Sequence, residues 1–254
     1  MTLAQRRWLF LAGMALLAGF YLWGLTALPG FGHYPGPYGF VINRVAVAQT
    51  KATGVVSAVN FEYRGFDTVG EEFILFIAAT GVATVLRQLR NERTGGQTGD
   101  EALGPGSSET TDAVRLASLV FVGPAVLFGW YLGSHAQTSP SGGFQGGVVL
   151  ATAFVLIYLA GAVLAFRRIS PVNLVDAVGA VGAGGFAAVG ITAVALGLPY
   201  LTNFLGLGSV PGAVSSSGTI ALISFFVGIE VAAAFVLIVG ELLEQTLLVQ
   251  RRAR

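Results

Sequence analysis

The chain has 254 residues, of which 54% are hydrophobic and 11% charged, and its mean hydropathy is +0.74; an ordinary soluble domain carries about 25% charged residues. This is the composition of an all-α, polytopic membrane protein, and a formal net charge of +1 gives no reason to expect a nucleic-acid partner. The absence of cysteine excludes disulfides, thiolate metal sites and iron–sulfur ligation by this chain, and with only His33 and His135 an intramembrane bis-histidine haem is not expected, so neither a cofactor nor a bound metal is foreseen.

In chain order, Arg6 and Arg7 precede an uncharged run from Trp8 to Leu28. A cleavable signal peptide has an apolar stretch of about 7–15 residues, so a retained first membrane helix is the better reading of this longer run. Pro29, Gly30, Pro35, Gly36 and Pro37 then interrupt the chain. From Tyr38 to Tyr63 apolar positions are broken up by Asn43, Arg44, Gln49, Lys51, Asn60 and Glu62. No window there is clean enough to span. The segment is expected to lie amphipathically at the outer membrane surface, as helix or as short extended pieces.

The acidic stretch YRGFDTVGEE (residues 63–72) leads into a second span, Phe73 to Leu86, closed by Arg87, Arg90 and Arg93. Two readings of its acids stand side by side. Thr68-Val69-Gly70-Glu71 fits a capping box, and Asp67, Glu71 and Glu72 all suit a helix N-terminus. Alternatively Asp67 and Glu71, four residues apart, project from one helix face and offer oxygens to a cation. On the residues alone, capping is favoured, because acidic first turns are common.

Residues 94–112 are rich in Gly, Ser and Thr and lack apolar periodicity, which predicts a flexible linker. A third span runs from Ala113 to Gly133, with Pro124 as an expected kink, and His135 follows as a solvated loop histidine. In SPSGGFQGG, Gly142, Gly143, Gly146 and Gly147 bracket Phe144 and Gln145, and an uncharged run to Phe166 forms the fourth span. These glycines make two overlapping Gly-x-x-x-Gly pairs, a pattern that points to close backbone packing rather than a mobile loop. Asn173 and Asp176 open a fifth span rich in Gly and Ala, suited to close packing, with Asp176 read as a helix N-terminal charge. The sixth, from Ile220 to Val249, carries Glu230 near its middle, whereas Glu241 and Glu244 fall at its cytoplasmic end, at the interface. A carboxylate at mid-membrane depth is costly when charged and is by default a functional candidate, with an interhelical hydrogen bond as the structural alternative. About six spans put both termini on one side, and eleven Lys/Arg on that side against Arg44, Lys51 and Arg64 on the other make it cytoplasmic.

Three stretches carry a family resemblance. PSGGFQGG (140–147) followed by an apolar helix resembles the signature of the MnhB/MrpB family, a small membrane component of Mrp-type cation/proton antiporters with relatives in energy-converting membrane-bound hydrogenases. The family form has a third glycine where Ser141 stands. SSGTIALISFFVGIEVAAAFVLI (216–238) is similar to the last helix of that family, with its Gly-hydrophobic-Glu-Val at Gly228, Ile229, Glu230 and Val231. ATGVVSAVNFEYRGFDTVGEE (52–72) resembles a segment that the hydrogenase E protein shares with the C-terminal part of the large Mrp A protein, where the family form has Asn at the position of Gly54 and Asp at that of Glu62.

The resemblance implies a division into an E-like module (1–93), a linker (94–112) and an MnhB-like four-helix domain (113–254). It implies an accessory or ion-path subunit of a multisubunit Na⁺/H⁺ antiporter in the cell membrane of a prokaryote, embedded in the lipid bilayer beside other hydrophobic subunits and not itself an enzyme. Asp67 and Glu71 would attract or bind the cation at the outer mouth, and Glu230 would exchange a proton or cation at a subunit interface. Two alternatives remain open: the ion-translocating membrane arm of a hydrogenase or related redox complex, and a purely structural scaffold.

Overall fold

The computed structural model describes residues 3–26, 28, 36–94 and 110–252. Among these all regular structure is helical: α1 (Leu3–Thr26), α2 (Tyr38–Thr50), α3 (Val55–Ala58), a π-helical turn (Val59–Tyr63), α4 (Gly65–Thr94), α5 (Asp112–Ser134), α6 (Gly143–Ile169), α7 (Val172–Ala195) and α8 (Thr219–Arg252). Six of the helices contain stretches long and apolar enough to cross a membrane, at 7–26, 65–87, 112–134, 143–161, 172–195 and 219–245. The chain is thus a multi-pass membrane protein, with the spans that the apolar runs mark out. The linker region lies almost entirely outside the described residues. Residues 1–41, with α1, and residues 42–254 form separate units.

Within the second unit α8 is the helix around which the others gather. It packs against α4, α6 and α7, and α5 lies along α6. Hydrocarbon does not drive apolar helices together, so close approach in a membrane needs small side chains on the contact faces, and glycines supply them here. A Cβ on Gly147 would come within 2.6 Å of the Gly228 carbonyl oxygen and 2.8 Å of Val231 Cβ, and one on Gly143 within 2.9 Å of the Gly228 nitrogen, all on α8. Gly146 faces the other way: its Cβ would meet the Gly129 carbonyl oxygen at 2.7 Å and the Gly133 nitrogen at 2.8 Å on α5. Gly142 precedes the helix as its extended N-cap. The glycine run therefore holds the first turn of α6 between two other backbones. On α7, Gly182 abuts Glu230 and Gly185 abuts the Phe226 ring.

Residues 38–50 and 55–63 are helical, joined by a short non-helical stretch at 51–54. Ile42, Ala46 and Thr50, spaced four apart, turn inward and are buried, while Phe40 and Val41 are exposed. The inward side joins a core containing Phe61, Phe186, Ile220, Ile223, Val227 and Val231. Residues 53–57 are tied to the turn between α5 and α6. Gly54 N–H donates to the Gln137 carbonyl at 3.0 Å, Thr53 Oγ1 to Thr138 O at 2.9 Å, and Ser57 Oγ to Ala136 O at 2.6 Å.

This junction accounts for Gly54. A Cβ there would lie 2.6 Å from both the Ala136 and Ser139 carbonyl oxygens, leaving no room for any larger residue. Gly54→Ala is expected to lower the thermal midpoint of the detergent-solubilised protein, at a cost of about 1–2 kcal/mol, because fixed carbonyls rather than flexible side chains stand in the way. Gly54→Asn should cost more. An unchanged midpoint for both would show that the turn yields freely.

The start of α4 corrects one expectation. The helix begins at Gly65, so Thr68 lies inside it and does not cap it as the 68–71 capping box requires. Instead Asp67, in the first turn, pairs with Arg64 just outside the helix, Arg64 Nε donating to Asp67 Oδ2 at 2.6 Å.

Candidate functional site

Beginning the helix at Gly65 moves its acids inward. Glu72 sits two turns in, on the face that also presents Thr68, Ala79 and Ala83, and all four are buried. Glu71, one position away, is exposed, as are Ile74 and Ile77. Opposite Glu72 is Glu230, in the first half of α8 and 0% exposed. Gly182 makes this possible: with no side chain, the α7 backbone comes within 2.6–2.8 Å of where a Cβ would touch Glu230 Cβ, Cα and N.

The carboxyl groups of Glu72 and Glu230 are near enough to act on each other. Among the described residues, no hydrogen-bond donor meets either oxygen of Glu230 or Oε2 of Glu72. Two ionised carboxylates only accept, so the contact becomes a hydrogen bond when one of the pair carries a proton. An unpaired buried polar group is costly, and a charged one more so, which makes the proton-sharing arrangement the favourable one.

A cavity opens on either side of the pair. The first, about 290 Å³, has Glu72 in its wall with Glu71, Ser57, Asn60, Thr68 and Gln145. The second, about 210 Å³, has Glu230 in its wall with Thr80, Thr84, Arg87 and Asp176. The first lies at the N-terminal end of α4 and the second toward its C-terminal end.

Of the residues singled out in the sequence, Glu71, Gly142, Gly143, Phe144 and Gln145 line the first cavity, and Glu230 the second. Asp67 is not in the wall of the first cavity beside Glu71 and is held by Arg64 in an exposed pair. Gly146 and Gly147 serve the α5 and α8 contacts described above. Asp176 is more than a helix-end charge: Arg87 Nη1 and Nη2 donate to its two oxygens at 2.9 and 3.2 Å. Glu241 and Glu244, expected at the membrane interface, are buried between helices. Glu241 receives Arg87 Nε at 2.5 Å and Glu244 receives Arg167 Nε at 2.6 Å.

Two other groups have structural explanations. Half-buried His135 caps α5, with Nδ1 2.9 Å from the Tyr131 carbonyl and its ring stacked on Tyr131 at 4.2 Å. Glu62, in the π-helical turn before the second span, is pushed above the ordinary carboxylate value by burial, with the neighbouring Asn203 side chain pulling the other way.

Comparison with known proteins adds to this geometry. Residues 113–237 match the profile of a domain related to the MnhB subunit of Na⁺/H⁺ antiporters. The chain is 26% identical over 238 residues, 87% of either protein, to an uncharacterised protein of Methanocaldococcus jannaschii. It is 33% identical over 101 residues to the B component of the Na⁺/H⁺ antiporter of Bacillus subtilis, covering 39% of this chain and 66% of that one. It is 27% identical over 177 residues to the A/B component of a probable K⁺/H⁺ antiporter of Rhizobium meliloti, covering 63% of this chain and 17% of that much longer one. Among solved structures, a chain of the archaeal membrane-bound sulfane sulfur reductase superposes with a TM-score of 0.68 at 27% identity, covering 94% of this chain and 98% of its own. A chain of the Mrp complex from Dietzia superposes with a TM-score of 0.67 over 95% of this chain and 26% of its own, and at 18% identity that likeness is one of fold. Residues 113–237 of the chain thus form a domain related to the MnhB subunit of Na⁺/H⁺ antiporters.

Proposed function

We propose that this chain is an ion-path subunit of an Mrp-type membrane assembly that exchanges a monovalent cation, Na⁺, for protons. The observation that carries the reading is the burial of Glu230, which belongs to the MnhB-related domain, near a second carboxyl, Glu72, contributed by α4. A helix bundle serving only as an anchor gains nothing from two acids in contact, whereas an ion path needs groups that take up and release charge. Both termini lie in the cytoplasm on the positive-inside bias, which places the first cavity toward the outside and the second toward the cytoplasm. Glu71 then stands at the outer mouth as a cation-attracting group. Asp67, neutralised by Arg64, contributes to the field there more than to binding. The chain has only one lysine, Lys51, and it lies outside the spans; the proton-pumping subunits are separate hydrophobic chains.

Glu230→Gln is expected to lower Na⁺-dependent proton flux at least tenfold in membrane vesicles while the other subunits still co-purify with the tagged chain. Flux equal to wild type would remove Glu230 from the path. A second reading has its own support, since the sulfane sulfur reductase chain matches this one nearly end to end: the same module would serve as the membrane arm of a redox complex. Mass spectrometry of what co-purifies separates the two. Hydrophobic antiporter-like subunits alone favour the first, and subunits carrying redox centres favour the second.

A further inference from the structure

We infer that Glu72 and Glu230 form a two-carboxyl proton relay that connects the two cavities across the middle of this chain. The inference deepens the ion-path reading and rests on it. It assigns a role to Glu72, which the resemblance does not mark, and names the ion that crosses at this point.

The argument is geometric. Glu72 lies in the wall of the first cavity and not in that of the second; Glu230 lies in the wall of the second and not in that of the first. Both residues are more than nine-tenths buried, and each has an oxygen that meets no donor. The carboxyls of Glu72 and Glu230, one from each wall, interact with each other. A cation with a hydration shell needs several oxygens in fixed positions, but a proton needs only one acceptor handing on to the next. The polar walls differ in make-up. Glu71 and Glu72 bring acids alone to the first, whereas the second also has a cation, Arg87, held by Asp176 and Glu241. α7 meets Glu230 through Gly182 and adds Asp176 to the wall of the second cavity, whereas α6 lines the first cavity through Gly143, Phe144 and Gln145, none of them charged.

The pair rests with one shared proton. A second proton, from a hydronium ion in the first cavity, protonates the Glu72 carboxylate. Glu230 then releases its own proton to water in the second cavity, and the remaining proton passes across the contact to restore the starting state. Only O–H bonds are made and broken, and one proton crosses per cycle.

The chain contains no cysteine, so single cysteines placed in it report cleanly on access. Glu72→Cys and Glu230→Cys would each be made in the tagged chain within its native assembly and treated with a membrane-impermeant methanethiosulfonate from one membrane face at a time. Labelling of the purified chain would then be measured by mass. Cys at 72 should react from one face only and Cys at 230 from the opposite face only. If either fails to assemble, Thr68→Cys and Thr84→Cys, one in each cavity wall, carry the same test. In parallel, Glu72→Gln should lower proton flux at least tenfold, with Glu72→Asp recovering part of it, which a merely structural role for Glu72 would not require. Labelling of both sites from the same face, or Glu72→Gln flux within twofold of wild type, would overturn the relay. Ion exchange by an intact assembly in that variant would leave the ion-path reading of the chain standing, whereas failure of the wild-type chain to purify with any membrane partner would sink that reading instead.

Discussion

Replacing Gly147 by valine should separate α6 from α8 and abolish the folded chain, or lower its thermal midpoint in detergent by the equivalent of at least about 3 kcal/mol. Two effects of opposite sign compete at any glycine inside a helix. Adding a Cβ gains about 1 kcal/mol in helix propensity; forcing atoms into a filled contact costs about 1–3 kcal/mol, occasionally more. At Gly147 the added atom meets a backbone carbonyl at 2.6 Å and a β-branched side chain at 2.8 Å. Neither can turn aside, so the cost wins. Valine adds two further methyls, and the axis of α8 must move, taking with it Glu230, which lies between Gly228 and Val231 in the chain. Gly123 on α5 and Gly184 on α7 are the controls, since a Cβ at either meets nothing within 4 Å. Alanine at those positions should leave the midpoint unchanged or raise it. If Gly147→Val and Gly123→Ala melt alike, the close α6–α8 contact does not hold the fold.

That contrast also marks how far the sequence could be read. Spans are legible because about twenty apolar residues in a row have few other uses. The glycine turn is legible as a place where backbones approach, though which glycine faces which neighbour is set by the pitch of α6, and Gly146 and Gly147 point to different helices. Glu230 stands out because it is alone in an apolar run. Glu72 does not stand out, because it follows Glu71 at what looks like a helix start. The available signal was periodicity: Thr68, Glu72, Ala79 and Ala83 fall on one helical face of small residues, while Glu71 falls with Ile74 and Ile77. Reading the helix from Gly65 rather than from the first long apolar run would have turned Glu72 inward. The partners of Arg87 were out of reach altogether. Asp176 and Glu241 lie 89 and 154 residues away, and only packing of α4 against both α7 and α8 brings them together.

Arg87 is therefore the other position where a single change should have a large effect. Its guanidinium holds Asp176 through two nitrogens and Glu241 through a third, joining three helices at one point. Glu241 is only 3% exposed on its side chain, whereas Asp176 is 39% exposed. Arg87→Ala leaves Asp176 to water at little cost but removes the guanidinium from a buried carboxylate, and breaking a buried pair from one side costs about 3–5 kcal/mol. Partial exposure of the arginine itself puts the expected loss at the lower end, about 3 kcal/mol. Lysine should recover only part of it, because a single ammonium cannot reproduce the forked donor geometry. If loss of the guanidinium from beside the Glu241 carboxylate is the cause, Glu241→Gln should relieve much of the Arg87→Ala defect, and a double-mutant cycle in thermal midpoint would show strong coupling. Arg64→Ala, which breaks an exposed pair with Asp67, should change stability by less than about 1 kcal/mol. Additive effects of the Arg87 and Glu241 changes would contradict the account. The same triad sets the field at the second cavity: with Arg87 present it carries one net negative charge, without it two, and Glu230 would then release its proton against a more negative wall. Slower proton flux in Arg87→Ala, restored along with stability by Glu241→Gln, would tie the ion pair that holds the bundle to the path that runs through it.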